Sequence, residues 1–121
     1  MCKANAAKFV VDVDTWAQID GSDASVIESS MASYVQSTGP LSIVVDASSW
    51  SDYTGGIMSV CGQDIDHAVQ AVGVDASSGG YWKVRNSWGP SWGESGFIRL
   101  SYGQNTCDLT YLSTYTSSHP K

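Results

Sequence analysis

Residues 81–96 read Tyr-Trp-Lys-Val-Arg-Asn-Ser-Trp-Gly-Pro-Ser-Trp-Gly-Glu-Ser-Gly and hold three of the five tryptophans of the chain. Tyr81, Trp82 and Val84 are strong β-formers, so residues 81–85 are expected as a strand. Asn86 falls where that strand gives way to a loop rich in Gly, Pro and Ser. Upstream, His67 stands alone in Ile-Asp-His-Ala-Val. Loop ends on a rigid scaffold are where sites are built. An imidazole at one strand start, an amide at the end of the next strand and an indole two residues on make a workable assembly. The amide fixes the imidazole tautomer, and the indole keeps water off their hydrogen bond. That is half of a catalytic site.

Outward from this stretch, the period of the sequence changes several times. Residues 8–19 alternate loosely, with Phe9, Val11 and Val13 on one side, which predicts a half-buried strand. Ile27, Met31, Tyr34 and Val35 recur at helical spacing within residues 23–38. Ser25 and Glu28 form a possible capping box there, and Gly39-Pro40 supplies the stop. Residues 41–47 return to a strand, and 48–56 are turn-rich, with room for one helical turn around Trp50 and Tyr53. Strands are expected at 67–75, 79–87 and 96–102, with Ser77-Ser78-Gly79-Gly80 as a hairpin signal. A last short strand is expected at 110–115, followed by a frayed end over 117–121. One helix followed by strands at hairpin spacing is the pattern of an α+β domain, a small antiparallel β-barrel or curled sheet carrying one main helix. Trp16, Trp50 and Trp82 read as packing residues.

The 121 residues suit a single domain with one core. Twelve acidic against six basic residues give a net charge of −6, which argues against nucleic acid and anionic membranes as partners, because both need clustered Lys and Arg. No apolar run approaches the roughly 18 residues of a membrane helix, and residues 1–4 carry no apolar signal region. Three cysteines and a low share of charged residues, 15%, suit a secreted or vesicular protein in which two cysteines pair and one is left over. Cys61 and His67, with Asp64 and Asp66 between them, lack a second Cys or His at ligand spacing, so no metal site and no cofactor is expected. Asp66 precedes His67 on a strand and points to the opposite face, which suits a rim or backbone-bonding role.

Taken together, Ile65-Asp66-His67-Ala68-Val69, Tyr81 to Gly89, Trp92-Gly93-Glu94-Ser95-Gly96-Phe97 and Asn105-Thr106-Cys107 resemble the papain-like cysteine peptidases, specifically their C-terminal barrel half. Gly39-Pro40-Leu41-Ser42-Ile43-Val44-Val45 is similar to the family's Gly-Pro-hydrophobic strand. The resemblance covers nearly the whole chain. It implies that His67 is the catalytic imidazole, that Asn86 orients it, and that Trp88 covers their contact. It implies that Trp92 walls the leaving-group side of the cleft, and that Val44, Ile65, Ala68 and, at its end, Leu112 line the pocket for the substrate's second residue, favouring an apolar side chain. It also implies a Cys61–Cys107 disulfide, and places Cys2 where the family bonds to a cysteine of its N-terminal half. Asp108 departs from the glycine usual after the second cysteine.

The family's oxyanion Gln and its Cys-Gly-Ser-Cys-Trp segment have no counterpart in these residues. The resemblance therefore implies a half-site: a thiolate from the N-terminal helical half would attack the peptide carbonyl, and the imidazolium would protonate the leaving amine. The chain alone is expected to be inactive. An N-terminal nucleophile at Cys2 after loss of Met1 is the minor alternative. Expected partners are the N-terminal peptidase half, peptide and protein substrates, cystatin-type inhibitors and a second copy of the chain, and the expected location is secreted or lysosomal/vacuolar. The competing reading is a non-catalytic binding module that keeps the peptidase barrel.

Overall fold

The computed structural model describes residues 3–121. Its strands are β1 (Val11–Gln18), β2 (Leu41–Val45), β3 (Ile57–Met58), β4 (His67–Val74), β5 (Tyr81–Arg85), β6 (Phe97–Ser101) and β7 (Ser113–Pro120), and its one α-helix is α1 (Ala24–Ser37). The strands form one seven-stranded sheet in the order β1-β7-β2-β4-β5-β6-β3. Pairing is antiparallel throughout except between β3 and β6, which run parallel. The sheet is open, with β1 and β3 at its edges, so the fold is mostly β with one helix and the sheet is mixed rather than wholly antiparallel.

Alternation along the central strands decides which face the helix covers. Leu41, Ile43 and Val45 of β2, Ala71 of β4, Trp82 and Val84 of β5, and Ile98 and Leu100 of β6 are buried and form the core with Met31 and Ala32 of α1. Residues i and i+2 of a strand share a face, so Ser42, Val44, Ala68, Gln70, Lys83 and Arg85 fall on the other one. The helix starts on Asp23, whose carboxylate accepts the Val26 N–H at 3.0 Å. Gly39 and Thr38 end it, both donating to the Tyr34 carbonyl.

Glu28 is therefore not the partner of a capping box with Ser25. It is 2% exposed and its carboxylate accepts three hydrogen bonds, from the Trp82 indole N–H at 2.9 Å and the backbone N–H groups of Gly103 at 2.7 Å and Asn105 at 2.9 Å. A buried carboxylate is tolerable only with such donors, and these tie α1 to β5 and to the turn after β6.

Four other expectations change. Residues 117–121 are not frayed: β7 extends to Pro120 and pairs with β1 from Val11↔Pro120 to Gln18↔Thr114. β1 is mostly exposed rather than half-buried, and Trp16 is 70% exposed, so Trp16 is not a packing residue, whereas Trp50 and Trp82 are fully buried. Within the ribbon of β1 and β7, Tyr115 stacks on Tyr34 of α1, while Val11, Val13 and Trp16 stay exposed. The segment around Trp50 and Tyr53 forms successive turns, with Trp50 N–H to Ala47 and Tyr53 N–H to Trp50, not a helix. β3 adds a two-residue parallel edge that no periodicity announces.

The Asp108 departure has a local consequence. Asn105, Cys107 and Asp108 all have positive φ, at 49°, 57° and 59°. Asp108 thus occupies the left-handed region that glycine fills most easily, and its carboxylate accepts from Asn105 Nδ2 at 2.9 Å.

Candidate active site

The site is built at one end of the sheet. His67 opens β4 opposite Val45, the last residue of β2, and Asn86 follows β5 directly, its N–H bonded to the Gly96 carbonyl at 3.1 Å. The chain leading to His67 is clipped down. Asp66 donates its N–H to Val45, and its carboxylate accepts the Ala47 N–H at 2.8 Å. The Asp46 carboxylate accepts from Ser48 Oγ, the Asp64 N–H and the Ser48 N–H, which hold its pKa below the ordinary value, the hydroxyl most strongly. The Cys61–Cys107 disulfide, with Cα atoms 4.9 Å apart, anchors the start of the same segment.

His67 Nε2 lies 2.8 Å from Asn86 Oδ1, and the Ser87 backbone N–H reaches the same oxygen, also at 2.8 Å. A backbone N–H can only donate, so the Asn86 atom it meets is the oxygen. Nε2, facing that oxygen, must then carry a proton. The neutral imidazole is thereby held as the Nε2–H tautomer, and Nδ1 keeps the lone pair. Asn86 is 8% exposed, and its Nδ2 is buried without a hydrogen-bond partner.

Aromatic rings wall this pair. Trp88 stacks on His67 with centroids 5.3 Å apart, and Trp50 meets the imidazole edge-on at 6.2 Å. Trp92 lies 5.2 Å from Trp88 and 5.9 Å from Trp50, and its indole N–H donates to the Trp50 carbonyl at 3.1 Å. Gly93 lets the chain after Trp92 run close to β6 and Tyr53: a Cβ there would come within 2.6 Å of the Phe97 carbonyl and 3.1 Å of the Tyr53 ring. Behind the wall, burial raises the Tyr53 hydroxyl above its ordinary pKa. Trp88 remains 42% exposed. The place of Trp50 under His67 is the feature that sequence reading missed, since a lone tryptophan in a turn-rich passage carries no signal beyond burial.

On the outer face, Val44 and Ala68 are cross-strand partners and line, with Leu112, a hollow of about 460 Å³ that also touches Asn86. Ile65 and Trp92 are not in its lining. Cys2 lies outside the described residues. Among the described residues no group of His, Cys, Asp and Glu is arranged to hold a metal ion, and no helix is long and apolar enough to cross a membrane.

The imidazole, the amide and the indole over them are thus brought together at one end of the sheet. Residues 1–117 match the model of the papain family cysteine proteases, and the chain belongs to that family, as a C-terminal region of it. It is 46% identical to a cysteine proteinase of Trypanosoma brucei brucei over 66% of the chain and 18% of that protein. It is 37% identical to cysteine proteinase 1 of Dictyostelium discoideum over 93% of the chain and 34% of that protein. Among solved structures it superposes on digestive procathepsin L 3 of the Tenebrio molitor larval midgut with a TM-score of 0.85 and 30% identity, covering 96% of this chain and 39% of that one. On bromelain from Ananas comosus in complex with the E64 inhibitor it gives 0.75 and 32%, covering 87% and 50%. The chain thus spans about a third or less of these curated relatives.

Proposed function

We propose that the chain supplies the histidine–asparagine half of a papain-type cysteine endopeptidase site, and that it hydrolyses peptides only beside an N-terminal half bearing the cysteine and the oxyanion glutamine. The observation that carries this reading is the single Asn86 oxygen shared by the Ser87 N–H and His67 Nε2, since it leaves Nδ1 as the atom that exchanges a proton with the nucleophile. In the complete site the Cys thiolate forms a bond to the peptide carbonyl carbon. The His67 imidazolium then gives its Nδ1 proton to the leaving amine and afterwards takes one from the attacking water. Trp88 and Trp50 exclude water from the Nε2–Asn86 bond, which strengthens it.

Val44, Ala68, Leu112 and Ile65 would take an apolar side chain at the substrate's second residue, and Trp92 would bound the leaving-group side. The 42% exposure of Trp88 suits a face covered by the second half, and without it the same face would favour self-association. Peptide-like inhibitors of the E64 kind and cystatin-type proteins are the expected ligands, in a secreted or lysosomal/vacuolar setting.

The test assays a fluorogenic dipeptidyl substrate, apolar at its second residue, with the chain alone and then with a family N-terminal half. Turnover is expected only in the mixture. It should fall by about two to four powers of ten in His67→Ala, and Asn86→Ala should keep the fold while its imidazole ¹⁵N shifts show mixed tautomers. Turnover by the chain alone that survives Cys2→Ala would overturn the half-site. Assembly with the N-terminal half without any turnover would favour a binding module.

A further inference from the structure

We propose that the Cys61–Cys107 disulfide is a thiol–disulfide exchange site, at which a small neutral or cationic thiol attacks Cys61 and Cys107 is the leaving group. The two sulfurs sit in opposite surroundings. Cys107 is 1% exposed, and its sulfur accepts the indole N–H of the fully buried Trp50 at 3.4 Å. Cys61 is only half-buried, on a loop whose residues Val60, Gly62, Gln63 and Asp64 are exposed. Its sulfur lies 3.2 Å from the Asp46 carbonyl oxygen, with Ser49 Oγ no closer than 4.0 Å. A carbonyl oxygen opposes negative charge on Cys61, whereas the indole N–H favours it on Cys107. Hydrogen bonds to ionised groups are about twice as strong as neutral ones, so the Trp50 contact gains most when Cys107 becomes a thiolate.

Exchange depends on which sulfur is reached and on how readily the other departs. Access selects Cys61 for attack, and the indole selects Cys107 to leave. The incoming thiolate forms a bond to Cys61 Sγ, the Cys61–Cys107 bond breaks, and its electron pair stays on Cys107. A dithiol reagent then closes on itself and releases Cys61, which takes a proton from water and can donate it to the Asp46 carbonyl. The approach is acidic. The Asp46 carboxylate, kept ionised by Ser48 and the Asp64 N–H, abuts Gly62 so closely that a Cβ there would overlap it. No Lys or Arg occurs between Lys8 and Lys83 in a chain of net charge −6. An anionic thiol is therefore disfavoured. Exchange unties the segment that leads to His67 and frees the sulfur that orients Trp50, whose ring meets the imidazole edge-on. That consequence for peptide hydrolysis rests on the half-site reading, and the exchange itself does not.

The experiment treats the 121-residue chain carrying Cys2→Ser, which removes the third thiol, with cysteamine, with mercaptoethanol and with mercaptoethanesulfonate. Samples are quenched in acid, alkylated and mapped by mass. The added thiol is expected on Cys61 and the alkyl group on Cys107, about tenfold or more over the reverse, at a rate that stays flat in urea below the unfolding transition. Compared per thiolate, cysteamine should outpace the sulfonate about tenfold at about 0.01 M salt, with the gap closing near 1 M. Trp50→Phe, which keeps a ring and removes the N–H, should slow attack on Cys61 about tenfold. A loosened core would instead speed exchange and make it rise with urea, so the variant is read through the same urea series, and the mapping of the Trp50-bearing chain stands without it. Equal labelling of both cysteines, preferred labelling of Cys107, a rate that climbs from the lowest urea as global opening requires, or faster reaction of the sulfonate would each overturn the proposal.

Discussion

The end of the sheet that carries His67 and the ribbon of β1 and β7 are built on opposite terms. Around His67 side chains pin the backbone: Asp46 and Asp66 hold residues 46–66, and the disulfide holds Cys61. The ribbon has long, regular pairing, yet Val10, Val13 and Trp16 are 64–75% exposed. Its fixed points are the Thr15–Ser117 hydroxyl contact at 2.8 Å, His119 beside Asp14 at 2.7 Å, and Tyr115 stacked on Tyr34 of α1 at 4.5 Å. Backbone pairing alone supplies a strand; carboxylates that accept backbone N–H groups fix the segment leading to His67. Rigidity is thus concentrated where an imidazole must keep one orientation.

The largest break in this contrast should come from the disulfide. It closes 46 residues of chain, which in the chain-entropy account stabilises by about 4 kcal/mol. Replacing Cys61 and Cys107 together by Ala should lower the urea-extrapolated unfolding free energy by about that amount and speed amide exchange in residues 61–67, while the β1–β7 amides stay protected relative to the new global limit. Next comes Glu28→Gln, which puts a donor where one of three N–H groups now finds an acceptor. A loss of about 2 kcal/mol is expected, with the Trp82 or Asn105 N–H signal shifted. By contrast Trp16→Ser, in the ribbon, should change stability by no more than about 0.5 kcal/mol, and a larger loss would show that the ribbon packs on something.

The smallest effect concerns the pair of Glu94 and Arg99. Hydrogen bonds from Arg99 first, and from the Gly56 N–H second, pull the Glu94 pKa from 4.5 to about 2. A carboxyl that is more acidic in the folded state stabilises fully above its unfolded value and loses that contribution as pH falls through the folded one. The window is therefore pH 4.5 down to 2. Both side chains are about a third exposed, so the contribution is small. Urea midpoints of Glu94→Gln should lie slightly below those of the unchanged chain at neutral pH and converge with them near pH 2; a constant offset would remove Glu94 from the account.

Much of the central sheet was legible because its residues alternate cleanly. β4, β5 and β6 begin and end within two residues of the expected 67–75, 79–87 and 96–102, and α1 lies where Ile27, Met31, Tyr34 and Val35 placed it. The segments without alternation were illegible. β7 is rich in Ser and Thr and buries almost nothing beyond Ser113, so its pairing comes from β1 and not from a pattern of its own. Glu28 looked like a surface cap because all three of its hydrogen-bond donors lie more than fifty residues away in sequence. The residues of the candidate site were visible through their combined spacing, but the proton on Nε2 was not. It follows from the Ser87 N–H, a backbone group that no side-chain pattern reveals.

The indoles around His67 also give the site an optical identity. Three tryptophans lie within about 6 Å of one another, at 5.2, 5.9 and 6.3 Å between centroids, close enough for their excited states to couple. One of them, Trp88, lies flat on the imidazole. An imidazolium accepts electron density from an excited indole far more readily than a neutral ring does, so the charge state of His67 is written into the fluorescence of Trp88. Trp16 and Trp82 lie outside this cluster. The protonation state of the site can then be followed by light alone, without substrate, label or cofactor.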